Sequence, residues 1–309
     1  MLLVLKYILK RIAMIIPVII GITLFVYTIL ALAPGDPASL ILGPDALPEQ
    51  LEAMRIELGL HKPIIIRYIE YMSNAVRGDF GRSWLNGKVV LDEFIQRIPH
   101  TFMMALLGTL ISAALGISLG ILVAIKHNTP IDYTTLGFAL VMAAIPNFWT
   151  GMIFQIVFAL NLGWFPVMGV GTFRHYILPC SNLGISWSAS NIRLTRSSML
   201  DVMTQDYVRT ARAKGGSEGW VIRRHVVRNG LLPVITNVGL QFASILSGAI
   251  VSETVFAIPG IGSYVIMGAR SRDIPIVMGV IFFVGIFTAV INLIIDFVYA
   301  IIDPRVKLE

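Results

Sequence analysis

Of 309 residues, 56% are hydrophobic and only 14% are charged, and the mean hydropathy is +0.79; soluble domains carry about 25% charged residues. The formal net charge of +6 gathers between long apolar runs and not along a nucleic-acid-binding face, the pattern of a membrane protein, because ionisable groups are costly in hydrocarbon. A single cysteine, Cys180, excludes an internal disulfide and cannot build a metal site alone.

Six apolar runs meet the roughly 17 to 25 residues needed to cross a bilayer: 12–33, 101–125, 133–160, 177–200, 231–257 and 275–302. Lys6, Lys10 and Arg11 precede the first. They resemble a signal region, but the run is too long and lacks a cleavage site, so an uncleaved helix is expected. Residues 34–99 form a polar insert with seven Lys/Arg and nine Asp/Glu. Within it Pro48 opens a helical pattern with Leu51, Met54 and Leu58 on one side, stopped by Gly59. A short piece over 64–72 and a turn-rich stretch at Gly78-Asp79-Phe80-Gly81 follow. This insert reads as a structured cap, a contact for an external delivery protein, or both.

Lys126 lies between the second and third runs. Arg209, Arg212, Lys214, Arg223, Arg224 and Arg228 lie between the fourth and fifth, and Arg305 and Lys307 after the sixth. The two short loops on the opposite side hold only Arg174, Arg270 and Arg272, and the 34–99 insert is long enough that its charges weigh little. The bias places both termini in the cytoplasm. Trp164 and Phe165 suit an outer aromatic belt. The partition expected is 1–33, a peripheral helix; 34–99, an extracytoplasmic segment; 100–302, a five-helix core with a loop at about 201–230; and 303–309, a cytoplasmic tail. Gly108, Gly116, Gly120, Gly137 and Gly239 read as close-packing positions.

Polar residues inside the runs are the candidate site. Pro146 removes a donor and bends the third helix, leaving Asn147 beside a free carbonyl; this serves either a translocation path or a packing irregularity. Asn191 and Arg193 lie in the inner half of the fourth run, with Arg196 a turn below. Ser252 and Glu253 lie near the outer end of the fifth, where Glu253 either lines a vestibule or anchors the next loop through Arg270 or Arg272. Arg193 is seven residues above the inner end of its run, on the order of 10 Å, and Asp296 is six above the end of the sixth. The two share a depth and are expected to pair, with Arg196 as the alternative partner.

Between the fourth and fifth runs, Tyr207 to Gly215 begins with strong helix formers and breaks at Gly215-Gly216. Two short surface helices are expected, with one face free for another protein. No GxxxxGK[ST], HExxH or GxSxG occurs, and the five histidines are scattered. The chain is therefore expected to be non-catalytic, with no metal ligands and no cofactor of its own.

Residues 6 to 305 resemble the permease subunits of bacterial ATP-binding-cassette importers for dipeptides, oligopeptides and nickel. The resemblance is carried by Gly35-Asp36-Pro37, Asp79-Phe80-Gly81, Pro146-Asn147-Phe148-Trp149, Arg196-Ser197-Ser198-Met199-Leu200-Asp201, Asp206 through Gly215, Glu253-Thr254-Val255-Phe256, Pro259-Gly260-Ile261-Gly262, Arg272-Asp273-Ile274-Pro275 and Asp303-Pro304-Arg305. It implies an all-α type I importer permease of six transmembrane helices in the bacterial inner membrane. It also implies a second homologous permease subunit, two ATPase subunits holding ATP and Mg2+, and an extracytoplasmic substrate-binding protein. The ATPase-coupling residues carried over are Arg209, Thr210, Ala211, Arg212, Ala213, Lys214 and Gly215. Such importers usually open this motif with Glu-Ala-Ala; here Arg209-Thr210-Ala211 stands in its place, so a cation replaces the acidic contact. Peptide is the expected cargo, with a nickel complex as the alternative. A secondary transporter driven by an ion gradient is a different class, for which broken helices and internal repeats would speak.

Overall fold

The computed structural model describes the backbone of residues 2–247 and 249–302 and the side chains of 13–247, 249–295 and 297. Its regular structure is helical apart from one antiparallel bridge between Arg82 and Val89. In order come α1 (Leu2–Leu32), α2 (Pro37–Leu42), α3 (Pro48–Glu57), α4 (Ile64–Val76) and α5 (Val90–Ile125). Next are α6 (Pro130–Ala144), α7 (Asn147–Phe154) with π-helical turns over Gln155–Asn161, and α8 (Arg174–Met203). Then follow α9 (Asp206–Ala213), α10 (Glu218–Val221) with π-helical turns over Ile222–Val227, and α11 (Arg228–Gly230). The chain continues through α12 (Leu232–Leu246), α13 (Ile250–Val255), α14 (Ile261–Ser271) and α15 (Ile274–Ile302).

Contacts divide the chain into two compact units. The first takes Met1–His100 together with Pro259–Val290. Its aromatic core stacks Phe94 on Phe283 at 4.3 Å, with Phe80 against the same ring at 4.3 Å. Val90, Tyr264, Ile276 and Val280 close around them. Pro48 opens α3 as its sequence predicts, and Gly59 ends the segment with φ +70. At the α14–α15 corner, Arg272 sits in the left-handed region at φ 55 and donates to the carbonyls of Ala33 and Gly35, both at 3.0 Å. A side chain at Gly35 would lie 2.7 Å from that guanidinium, which accounts for the glycine. The neighbouring Asp273 is fully buried and accepts from the Ser83 hydroxyl at 2.6 Å and the Leu85 N–H at 3.1 Å.

The second unit takes Thr101–Ile258 with the described residues from Ile291 to Ile302. Helix α8 is its axis and touches α6, α7, α11, α12 and α13. Gly116 and Gly120 of α5 let that helix close on α8, because a Cβ at either would run into Asn191 or Thr195. In lipid, where apolar burial contributes little, such close approach and interhelical hydrogen bonds hold helices together.

Among the described residues, three helical stretches are long and apolar enough alone to cross a membrane: Ala13–Leu32, Val90–Ile125 and Ile274–Ile295. Two more qualify as bent pairs, Pro130–Ala144 with Asn147–Asn161 and Glu218–Gly230 with Leu232–Leu246. The bend at Pro146 is sharper than a kink: the two axes turn by 100°. Proline forces the preceding Ile145 into extended backbone (ψ 129), so α6 ends and α7 starts afresh. The expected fourth span is a 30-residue helix, α8, yet too polar to qualify by composition. Its Asn182, Ser188 and Asn191 are buried and hydrogen-bonded within the protein, while the buried Thr195 hydroxyl has no partner among the described residues. The expected fifth span is not one helix; it stops at Leu246 and restarts at Ile250, with Ala249 outside helical geometry.

Candidate functional site

The cationic loop folds as a small platform packed on α5 and α8. Val208 is fully buried, with Ala211 packed beside it, against Ala124, Met199, Val221 and Val226. That anchoring turns Tyr207, Arg209, Thr210, Arg212, Ala213 and Lys214 outward. Lys214 ends the helix and Gly215 turns the chain at φ +83, a conformation that glycine adopts without strain. Arg212 reaches across the turn to Glu218 in a two-point ion pair at 3.0 and 2.7 Å. Arg209 has only a loose contact to Asp206 at 3.7 Å. Trp220, nearly half exposed, stands edge-on to His225 at 5.1 Å. Tyr207, Thr210, Lys214, Trp220 and His225 line a groove of about 500 Å³. A second hollow of about 320 Å³ is walled by Trp220, Arg223, Arg224 and Arg228. The expected residues thus share one open, cationic and aromatic surface, and its aromatic members were not singled out by sequence reasoning.

The intramembrane candidates separate. Asn147 and Ser252 line the same cavity, about 220 Å³ in volume, with Leu183, Trp187, Ser244 and Ala249. Pro146 is exposed at the break and does not line it. Glu253 is fully buried and accepts from the Thr101 hydroxyl at 2.6 Å. Behind the cavity, Asn182 of α8 ties down the first turn of α7: it donates to the Asn147 carbonyl at 3.0 Å and accepts from the Thr150 hydroxyl at 2.6 Å. Gln155 spans to the carbonyls of Val167 and Val255 at 3.0 and 2.9 Å.

Asn191 proves to be the centre of a buried cluster. Its amide donates to Ser112 and to Gln241, both at 2.9 Å, and its oxygen accepts from Asn237 at 2.8 Å. The signal was present in the spacing of Asn237 and Gln241, four residues apart and so on one helical face. Arg193 is exposed, and Asp296, its expected partner, lies outside the residues whose side chains are described. Arg196, the alternative, is held by Asp132 through two contacts of 2.7 Å. Asp132 is completely buried and the Arg196 side chain is 23% exposed. Among the described residues, no group of three or more His, Cys, Asp or Glu is placed to hold a metal.

Two family models cover nearly the whole chain. Residues 116–308 match the binding-protein-dependent transport system inner membrane component, and residues 4–105 match the N-terminal region of the same class of membrane component. The glutathione transport system permease protein GsiC of Escherichia coli (strain K12) is 38% identical over 303 residues, which is 98% of this chain and 99% of that protein. A protein of Brucella abortus (strain 2308), provisionally named a peptide transport system permease protein, is 38% identical over 310 residues, again 98% and 99% of the two chains. Among solved structures, the inward-facing MetNI methionine ABC transporter superposes with a TM-score of 0.56 at 13% identity, over 69% of this chain and 97% of that one. An amino acid ABC transporter superposes at 0.53 and 16% identity, over 68% and 94%. The fold is therefore the all-α, multi-pass membrane fold of ABC-importer permeases, and the chain belongs to the family of binding-protein-dependent transport system inner membrane components.

Proposed function

We propose that this chain is one of two permease subunits of an ATP-driven importer for cargo of the peptide class in the bacterial inner membrane. The cargo class rests on the relatives named for glutathione, itself a tripeptide, and for peptide transport. A homologous second permease completes the translocation path, two ATPase subunits supply ATP and Mg2+ chemistry, and an external binding protein delivers the cargo. This chain does no bond-breaking. It converts closure of the ATPases into a change of pore access, which requires the partners to bind its two states unequally.

The observation that carries the reading is the platform at α9. A helix that buries Val208 and turns Arg209, Thr210, Arg212 and Lys214 outward beside Tyr207 and Trp220 is built to be held by another protein, in a chain without a phosphate loop of its own. We assign Arg209 through Gly215 to ATPase coupling. Asn147 and Ser252 are assigned to the translocation path through the cavity they share, with Pro146 setting the break and Glu253 supporting from behind. In this reading the polar α8 is the fourth of six spans and both termini are cytoplasmic. Arg193 and Asp296 are assigned as a charge pair within the assembled bundle, where a lone charge would be costly.

The test is co-purification and reconstitution. Stoichiometric recovery of a second permease and ATPase, with peptide-dependent ATP hydrolysis when the cognate binding protein is added, is the expected result. A fully active lone chain overturns the importer reading. Tight binding of a nickel complex and no binding of peptides by the cognate external protein overturns the cargo class alone.

A further inference from the structure

Helix α4 falls in the insert between the first two apolar runs, yet its packing places it beside hydrocarbon. Tyr68 is 6% exposed. Its hydroxyl donates to the Ile20 carbonyl at 3.1 Å and lies 3.0 Å from the Thr23 hydroxyl, while its ring meets Tyr27 edge-on at 5.7 Å. The apolar stretch of α1 runs from Ala13 to Leu32, bounded on one side by Lys10 and Arg11. Thr23 is ten residues from one end and nine from the other. At about 1.5 Å per residue it stands roughly 14–15 Å from each, the middle of a hydrocarbon layer about 30 Å thick. Tyr68 also shares a cluster with Met278, four residues inside the apolar stretch that begins at Ile274.

The surface of α4 divides into three arcs. Ile64, Tyr68, Tyr71 and Ala75 face the α1 and α15 side of the unit. Ile65, Ile69 and Val76 form a stripe on a second arc and are 55%, 59% and 77% exposed. Glu70 and Asn74 lie on the third, where Glu70 is paired with Lys62 at 2.8 Å. An apolar stripe at mid-bilayer depth beside a helix whose own Ile22, Phe25 and Ile29 are exposed continues that helix's lipid face. Charges at such a depth need water or protein around them, so the third arc requires an aqueous space.

We infer that α4 is inserted in the membrane, with Ile65, Ile69 and Val76 against lipid acyl chains and Glu70 and Asn74 facing a water-filled vestibule. The inference concerns this helix's surroundings and stands whatever cargo the chain passes. A helix so placed holds the peripheral α1 against the rest of its unit.

Site-directed spin labelling of the assembled transporter, reconstituted in phosphatidylcholine–phosphatidylglycerol bilayers, tests it. With Cys180→Ala as background, labels are placed by Ile65→Cys, Ile69→Cys and Val76→Cys on the stripe and by Asn74→Cys on the polar arc. Phe25→Cys on α1 serves as the lipid reference. Collision with oxygen, which dissolves in acyl chains, is compared with collision with a neutral nickel chelate, which stays in water. The stripe labels are expected to favour oxygen as the reference does, and the Asn74 label to favour the chelate. Chelate preference along the stripe overturns the insertion, and low collision with both reagents there overturns the lipid occupant in favour of a covering protein. Should one stripe variant fail to co-elute with its partner subunits, the other two carry the same comparison.

Discussion

Two charged segments of this chain look alike in sequence and end in opposite environments. At the α14–α15 corner, Arg272 and Asp273 turn inward, and their polar atoms meet backbone carbonyls, backbone N–H groups and the Ser83 hydroxyl. At α9, Arg209, Arg212 and Lys214 turn outward on a helix anchored by Val208. The first segment is consumed by folding. The second leaves its charge in water, tied among the described residues only by the Arg212–Glu218 pair and a loose Arg209–Asp206 contact. The lesson is that a dense polar motif marks a constrained backbone or a waiting partner, and only burial tells the two apart.

The largest effect is expected at the corner. Asp273→Ala leaves the Ser83 hydroxyl and the Ile276 N–H without their acceptor, and the Leu85 N–H with only the Ser83 Oγ at 3.2 Å. Each buried group left unpaired costs about 1–3 kcal/mol, and the yield of assembled complex should collapse. Asp273→Asn keeps an acceptor oxygen and should recover part of it. Wild-type melting of the Ala variant would show that the corner does not hold its unit together.

Asp132→Ala comes next. Removing one partner of a fully buried pair costs about 3–5 kcal/mol; here the guanidinium of Arg196 is 23% exposed, so water recovers some of that. Melting should fall clearly, and a second change, Arg196→Met, should restore part of it. A double variant that loses as much as the two single variants added together would show that the two groups are not coupled.

Much of this arrangement was legible beforehand, for reasons that differ by residue. Proline chemistry announced the break at Pro146, though not its 100° turn, which depends on how α7 packs after it. Gly215 marked the end of α9 because a left-handed turn selects for glycine. The Asp132–Arg196 pair was not legible: the partners are 64 residues apart, and no local pattern singles out Asp132. The polarity of α8 was underweighted because sequence periodicity does not reveal that a helix is enclosed by its neighbours. The same blindness hid the lipid-depth contact of Tyr68, since nothing local distinguishes a tyrosine bonded to a helix 45 residues away.

A smaller effect is expected from Gly215→Ala. Nothing lies within 4 Å of the position where a Cβ would stand, so the cost is backbone strain alone, about 1–2 kcal/mol for a non-glycine residue in the left-handed region. The strain should appear as faster amide exchange across α9 with little change in global melting. Exchange unchanged across Arg209–Lys214 would mean that the turn does not define the platform.

The smallest effect on stability, and the sharpest test of the comparison, is exchange of the Arg212–Glu218 charges. Both side chains are well exposed, 37% and 58%, and such pairs contribute about 0–1 kcal/mol. Arg212→Glu alone places two carboxylates together and should lower melting only slightly, yet it should reduce peptide-stimulated ATP hydrolysis because charge at a wet boundary sets register more than affinity. That result has two explanations: a loosened loop, or a lost contact with the ATPase. The double variant, Arg212→Glu with Glu218→Arg, rebuilds the ion pair with its direction reversed and so separates them. Melting should return to the parent value while coupling stays low, because the cation now stands on α10 instead of α9. If coupling returns in full, Arg212 serves only to brace the turn. The docking contact must then rest on Arg209, Lys214 and the aromatic groove beside them.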